Sequence, residues 1–331
     1  MSSSARLKLA GIIALLAVIC TLPSIVRPYQ LDFLIFLFIN IILVVSYRMI
    51  AITGEFSLAH AVIMGVGGYT SALLPISPWI SLPLGGMAAA GIAYILSFPL
   101  FRMKGFYFLI GSFAAAEAIR LCWVQFNDPF GGFRGLRRIP VLEVDLGDFL
   151  YIDFGAPVPY YFFALTVAIV CLVMMYRIEN SRFGFVFHAV HHKDTLAQSV
   201  GVNARRYRTI AFVTASFFAG IAGAMVAHYV TAINPGLFGL PRMLNILVWV
   251  LVGGLGSFAG PVIGVTVLSI ADESFRGFQE FRPAFYGLIL IATMLFLPDG
   301  LVSLPSKIVQ WANWLRSRGA GGVTKRENTK S

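Results

Sequence analysis

Charge is scarce in this sequence. Only 12% of its 331 residues are Asp, Glu, Lys or Arg, about half the roughly 25% of a soluble domain. So few charges cannot cover a water-facing surface, which excludes an ordinary cytosolic enzyme and equally a disordered or collagen-like chain. Cysteine is nearly absent. Cys20, Cys122 and Cys171 each lie in an apolar run without paired spacing, so neither a disulfide framework nor a zinc site is expected. The phosphate-cradling pattern Gly-x-x-x-x-Gly-Lys-Ser/Thr is missing, and no Gly-Lys dipeptide occurs anywhere. Any ATP that drives this protein is therefore bound by another chain. Catalytic constellations are lacking too. His188 and His192 stand four apart beside Lys193, without the Glu of a His-Glu-x-x-His site, so no metal, no cofactor and no enzymatic activity of its own is expected.

What the sequence has in abundance is apolar length. Hydrophobic residues make up 58% of it, and its mean hydropathy is +0.81. A spanning helix needs about 20 mostly apolar residues. Ten such runs are predicted: 8–26, 31–50, 56–74, 79–101, 106–126, 158–177, 208–231, 242–255, 257–271 and 283–298. The fold class expected is an all-α polytopic membrane protein of about ten transmembrane helices, one or two of them broken or re-entrant. The run 8–26 follows Arg6 and Lys8 like a signal peptide, but Val18 to Pro23 make a poor cleavage site, so it reads as an uncleaved span. Run 56–74 is rich in Gly and Ser, and 242–271 reads either as two spans or as one broken helix.

The net charge of +10 follows from orientation. Of 25 Lys and Arg, Arg27, Arg134, Arg137, Arg138, Arg242, Arg276 and Arg282 fall on one side and Arg120 inside a span, while the rest fall in the other loops and the tail. Cytoplasmic loops carry the excess of cations. Both termini are thus expected in the cytoplasm, and nucleic acid is not needed to explain the charge. The domain reading is a membrane domain over 1–302, with an external loop at 127–157 and a cytoplasmic loop at 178–207, followed by a cytoplasmic tail at 303–331. In the tail, Ile308, Trp311 and Leu315 share a helical face beside Lys307 and Arg316, the pattern of an interfacial amphipathic helix. Small residues four apart (Ala215, Ala219, Gly223 and Ala227; Gly256, Gly260 and Gly264; Gly67 with Ser71; Gly68 with Ala72) form ridges suited to close helix packing.

The loop 178–207 carries the most information. Residues 186–200 have no helix breaker, and Gly201 is placed to stop the helix in a left-handed conformation. A polar helix outside the bilayer needs something other than lipid to dock on. With Ser181-Arg182-Phe183-Gly184 before it, an Ala197-x-x-x-Gly201 ending and Tyr207, Ala211 and Phe212 after it, the loop resembles the coupling loop of ABC-importer permeases. More narrowly, the chain resembles the branched-chain amino acid (LivM-type) permease family, with its urea, amide and aromatic-acid relatives, over about 33–302. The resemblance rests on Gly54-Glu55-Phe56-Ser57-Leu58-Ala59-His60, Gly67-Gly68-Tyr69-Thr70, Arg102 to Phe108, Glu117-Ala118-Ile119-Arg120, Gly131-Gly132 to Ile139-Pro140, Gly253 to Pro261 and Pro298 to Leu301. Glu55, Ala59, Phe130 and His191–Asp194 depart from the family pattern. The resemblance implies a bacterial inner-membrane permease subunit, partnered by ABC ATPase subunits, a second permease chain and a periplasmic binding protein. It further implies that Arg182, Gly184, His191, Asp194, Thr195, Ala197 and Gly201 couple the chain to the ATPase.

An ion-coupled secondary transporter is the alternative class. It requires ionisable groups inside the membrane, and no chain of intramembrane acids is present. Glu117 and Arg120 are three apart and able to pair. Glu55 and His60 either cap the helix that follows or face the inner mouth, and His228 reads as interfacial. Glu55, His60, Tyr69, Glu117, Arg120 and Asn245 are the candidates for the translocation pathway. The solute itself is open, from amino acid to urea, amide or aromatic acid.

Overall fold

The computed structural model describes residues 26–103, 105–145, 151–192, 201–274, 282–297 and 300–303, with Thr21, Pro23 and Ser199. Most of the expected first span and the tail beyond 303 lie outside these residues. Ten α-helices are described: α1 Pro28–Ala51, α2 His60–Leu73, α3 Pro78–Leu100, α4 Phe106–Gln125, α5 Pro157–Glu179, α6 Arg182–His192, α7 Ala204–Val230, α8 Leu240–Gly253, α9 Ala259–Ser274 and α10 Arg282–Phe296. Three open on proline, Pro28, Pro78 and Pro157, where the fixed φ suits a first turn and the missing N–H costs nothing. The Asn203 side chain caps α7 by accepting from the Arg206 N–H at 3.1 Å, which satisfies one of the unpaired donors at a helix start.

Among the described residues, six helical segments are long and apolar enough to cross a membrane: α1, α3, α4, α5, α7 and Pro235–Gly253, where a 3₁₀ turn at Pro235–Phe238 leads towards α8. The protein is a mainly helical, multi-pass membrane protein. Helices α2, α9 and α10 are shorter, at 14, 16 and 15 residues. The expected run 56–74 is helical only from His60, because residues 52–59 turn irregularly through Gly54 at φ +89°. Two small antiparallel ladders depart from a purely α reading. Strand β1 (Leu136–Arg137) pairs with β4 (Ala232–Ile233), and β2 (Glu143–Asp145) pairs with β3 (Tyr151–Asp153).

The chain divides into two compact units, Met1–Leu247 and Val248–Ser331. In the first, α7 is the central element, buried almost all round from Ala215 to His228 and packed by α1, α2 and α3. Lipid offers no hydrophobic drive between helices, so the contact is backbone on backbone. A Cβ at Gly67 would strike the Gly220 backbone, and one at Gly223 would strike the Met64 carbonyl. One at Gly220 would lie 2.5 Å from the Ala89 Cβ and 2.9 Å from the Gly85 oxygen. Glycines of α2, α3 and α7 thus interlock. Of the expected ridge, Gly223 carries a close contact, but the centre of the crossing is Gly220, which that ridge omits.

In the second unit, the end of α8 and the start of α9 form an antiparallel hairpin. A Cβ at Gly253 would strike the Gly260 backbone, and one at Gly264 would strike the Trp249 carbonyl. The reversal passes through Gly254 at φ +96°, in the left-handed region that glycine enters without steric cost. The reading of 242–271 as one broken helix is therefore corrected: the chain turns back.

Candidate functional site

One end of the first unit gathers the charged side chains that the sequence scatters. Arg48, buried near the end of α1, pairs with Glu179, the last residue of α5. His188 of α6 approaches the other oxygen of Glu179 at 4.0 Å. Glu55, also buried, pairs with Arg208 of α7 at 3.4 Å. The Arg205 guanidinium donates to the Phe98 carbonyl at 2.8 Å. Glu55 is thus an ion-pair partner and not the cap of α2, where the Ser57 hydroxyl instead accepts from the Ala59 N–H at 3.2 Å.

Helix α6 sits on this end. It begins at Arg182, four residues before the expected start, because the Ser181 hydroxyl accepts from the Phe183 N–H at 3.2 Å. Gly184 explains the Ser-Arg-x-Gly pattern, since any Cβ there would strike the Glu179 backbone at the elbow between α5 and α6. One face is anchored. Phe187 and Val190 are buried, Phe187 against Ile52 and Ala211 with Ile178, Tyr207 and Ile210 packed around them, and Val190 against Ala204, Val186 and Val202. The His191 ring lies beside Gly54, 3.0 Å from where its Cβ would stand. The opposite face is open, with Arg182, Phe185 and Ala189 exposed, while Phe183, one turn before Phe187, reaches the Tyr207 ring at the margin of the anchored face. Gly201 has φ +84°, the conformation expected of the helix stop. Asp194, Thr195 and Ala197 lie outside the described residues.

The pathway candidates are not brought together. His60 is fully buried. The Ser46 hydroxyl donates to the Leu43 carbonyl and leaves its oxygen for the His60 Nε2–H at 2.9 Å. The Tyr47 ring packs on the imidazole, so His60 neither caps α2 nor faces a mouth. Tyr69 is buried in an aromatic cluster, stacked on Trp123 at 4.5 Å with Phe130 and Phe238 edge-on. Glu117 and Arg120 do pair on α4, with the Arg120 Nε donating at 2.8 Å. Both side chains are part-exposed on the least buried of the six span-length helices. Asn245 is half-buried on α8.

The opposite end carries a site that sequence reasoning missed. His228 is buried. Its Nδ1 donates to the Pro140 carbonyl at 2.8 Å. A carbonyl only accepts, so Nε2 is the unprotonated nitrogen and takes the Ser71 hydroxyl at 2.8 Å, with Ser81 at 3.2 Å. One imidazole thus ties α2, α3 and α7 to the loop after α4. In that loop Gly131, Gly132 and Gly135 all have positive φ, and a Cβ at Gly135 would strike the Ile233 carbonyl. The Gly-Gly…Gly-Leu pattern exists because β1 must lie against β4.

The architecture is that of a multi-pass helical membrane protein with an amphipathic helix anchored at one end. Comparison with known proteins narrows this class. Residues 29–298 match the family described as branched-chain amino acid transport system, permease component, and the chain belongs to that family. It is 25% identical to the Escherichia coli high-affinity branched-chain amino acid transport system permease protein LivM, over 88% of this chain and 74% of that one. The corresponding LivH protein of Escherichia coli is 26% identical over 40% of this chain and 44% of its own length. BraD of Pseudomonas aeruginosa, named likewise as a permease protein of such a system, is 27% identical over 39% of this chain and 42% of its own. No solved structure matches.

Proposed function

We propose that this chain is the permease subunit of an ABC importer in a bacterial inner membrane. It crosses ten times with both termini in the cytoplasm, and it carries a branched-chain amino acid or a related small solute delivered by a periplasmic binding protein. ATP is bound and hydrolysed by partner ATPase subunits, and a second permease chain, similar in sequence, completes the pathway. The membrane domain is 1–302 and the cytoplasmic tail 303–331. The observation that carries this reading is α6. Its buried Phe187 and Val190 fasten it to the bundle while Phe185, on the opposite face, is exposed, an apolar side chain turned outward on a helix too short to span. That surface is where the ATPase docks, with Arg182, Gly184, His191, Asp194, Thr195, Ala197 and Gly201 shaping the contact. A shift of α6 on ATP binding reaches the turn at 52–59 through Phe187 on Ile52 and His191 on Gly54, and from there α2.

The polar point of the pathway is the Glu117–Arg120 pair. It is half-exposed on the least buried span, and a charge pair facing lipid is costly, so water or the second permease chain covers it. Glu55, His60, Tyr69 and Asn245 support the helices around the pathway.

The test is uptake and ATP hydrolysis in proteoliposomes holding both permease chains, the ATPase and the binding protein. Gly201→Asp, which strains a residue at φ +84°, and Phe185→Asp are expected to leave membrane insertion intact and to separate hydrolysis from uptake. Full coupled uptake in both variants refutes the docking role of α6.

A further inference from the structure

A cleft of about 680 Å³ opens between α3 and α4, with α2 as its floor. Ile92 and Ile95 of α3, Ile119 and Trp123 of α4, Tyr69 of α2 and Phe130 from the loop after α4 line it. Its volume falls within the roughly 300–1,000 Å³ of ligand-sized pockets. No charged side chain lines it. Round α4, Ile119 and Trp123 lie about 40° apart, with Arg120 about 60° beyond Trp123 and Glu117 further round, so the ion pair adjoins the cleft side of the helix without lining it. The α3 surface beside it exposes Met87, Tyr94 and Phe98, and Gly91 faces open space. The cleft is therefore continuous with an apolar surface of the kind that faces the bilayer. One further atom points to an occupant: the Tyr69 hydroxyl is buried and has no hydrogen-bond partner. A buried donor left unpaired costs about 1–3 kcal/mol.

We propose that this cleft is a lipid site, holding one acyl chain of a phospholipid whose ester carbonyl accepts a hydrogen bond from Tyr69. The walls suit an acyl chain and offer nothing to an ion. From Ala88 to Ile95 the α3 wall rises about 10 Å at 1.5 Å per residue, a large part of the roughly 15 Å hydrocarbon depth of one leaflet. Tyr69 stands one turn from the end of α2, next to Phe130, where the chain meets its ester. The lipid would wedge α3 and α4 apart and complete the packing around Trp123.

Trp123 reports on the cleft directly. In the full chain carrying Trp79→Phe, Trp249→Phe, Trp311→Phe and Trp314→Phe, Trp123 is the one remaining tryptophan. Reconstituted into phosphatidylcholine vesicles with brominated acyl chains, it is expected to lose most of its emission relative to unbrominated vesicles, although it is buried. Gly91→Phe, which fills the open space, restores that emission, and Gly287→Phe, an equally open position on α10, does not. Tyr69→Phe, which deletes only the hydroxyl, raises the mole fraction of brominated lipid needed for half quenching. An unquenched Trp123, or quenching that Gly91→Phe leaves unchanged, overturns the proposal. Quenching by aqueous acrylamide in place of brominated lipid overturns it as well, and assigns the cleft to water or solute.

Discussion

Replacing Gly220 with Ala adds a single methyl group at the point where three helices meet. Two opposing effects follow. A Gly to Ala change in a helix interior gains about 0.5–1 kcal/mol from the restricted unfolded chain. Against this, the new Cβ lies 2.5 Å from the Ala89 Cβ, 2.9 Å from the Gly85 oxygen and 2.9 Å from the Gly86 Cα. Carbon atoms are at their best separation at about 3.5–4.0 Å, so α3 and α7 must part by about 1 Å. None of the three obstacles is the tip of a flexible side chain. Overpacking of this kind costs about 1–3 kcal/mol, and here the strain spreads to the Gly67 contact on α2. The net expectation is a loss of about 1–2 kcal/mol. Gly91→Ala on α3 is the matched control: nothing lies within 4 Å of its Cβ, so the variant keeps the gain without the cost. Ala89→Gly added to Gly220→Ala relieves the closest contact but leaves the Gly85 oxygen, so it rescues only in part, a coupling that a double-mutant cycle isolates. Thermal unfolding in one detergent, followed by intrinsic fluorescence, ranks the parent, Gly220→Ala, Ala89→Gly, their double variant and Gly91→Ala. A Gly220→Ala protein as stable as Gly91→Ala would refute the interlocked crossing.

Two further expectations follow from the polar contacts. Glu179→Ala leaves the buried Arg48 without its carboxylate and is expected to lower stability by about 3–5 kcal/mol, while Arg48→Met with Glu179→Leu recovers most of the loss; equal melting temperatures for the single and double variants would contradict this. His228→Ala releases Pro140 from Ser71 and Ser81, so the loop holding the exposed Arg137 and Arg138 should be cut faster by trypsin, and an unchanged rate of cleavage would show that the imidazole does not hold it.

Much of the architecture is legible in the sequence, because apolar length and proline starts are local signals. Five long helices lie within a few residues of their expected runs, and Gly201 has the positive φ expected of a helix stop. The helical elbow at Gly184 follows from the Ser-Arg-x-Gly pattern once its contact with Glu179 is seen. What the sequence cannot show is pairing across distance. Arg48 and Glu179 are separated by 131 positions, and Ser71 and His228 by 157; no spacing rule links them. The choice of Gly220 over Ala219 as the crossing point depends on where two other helices approach. A ridge of small residues fixes one face of α7, whereas α2 and α3 press on it from two directions. The shortness of α2 is equally a tertiary matter, since an apolar run from 56 to 74 reads as long enough to span.

Backbones that touch without an intervening layer of side chains have no rotamers to exchange. In most helix pairs a push on one element is partly absorbed, because leucines and phenylalanines between the helices settle into new arrangements. Where Gly67 meets Gly220 and Gly68 meets Gly223, that cushioning is missing. A displacement of α2 would therefore find little side-chain repacking to absorb it, and the contacts of Gly67 and Gly68 with α7 and of Ser71 with His228 are the places where it would be felt.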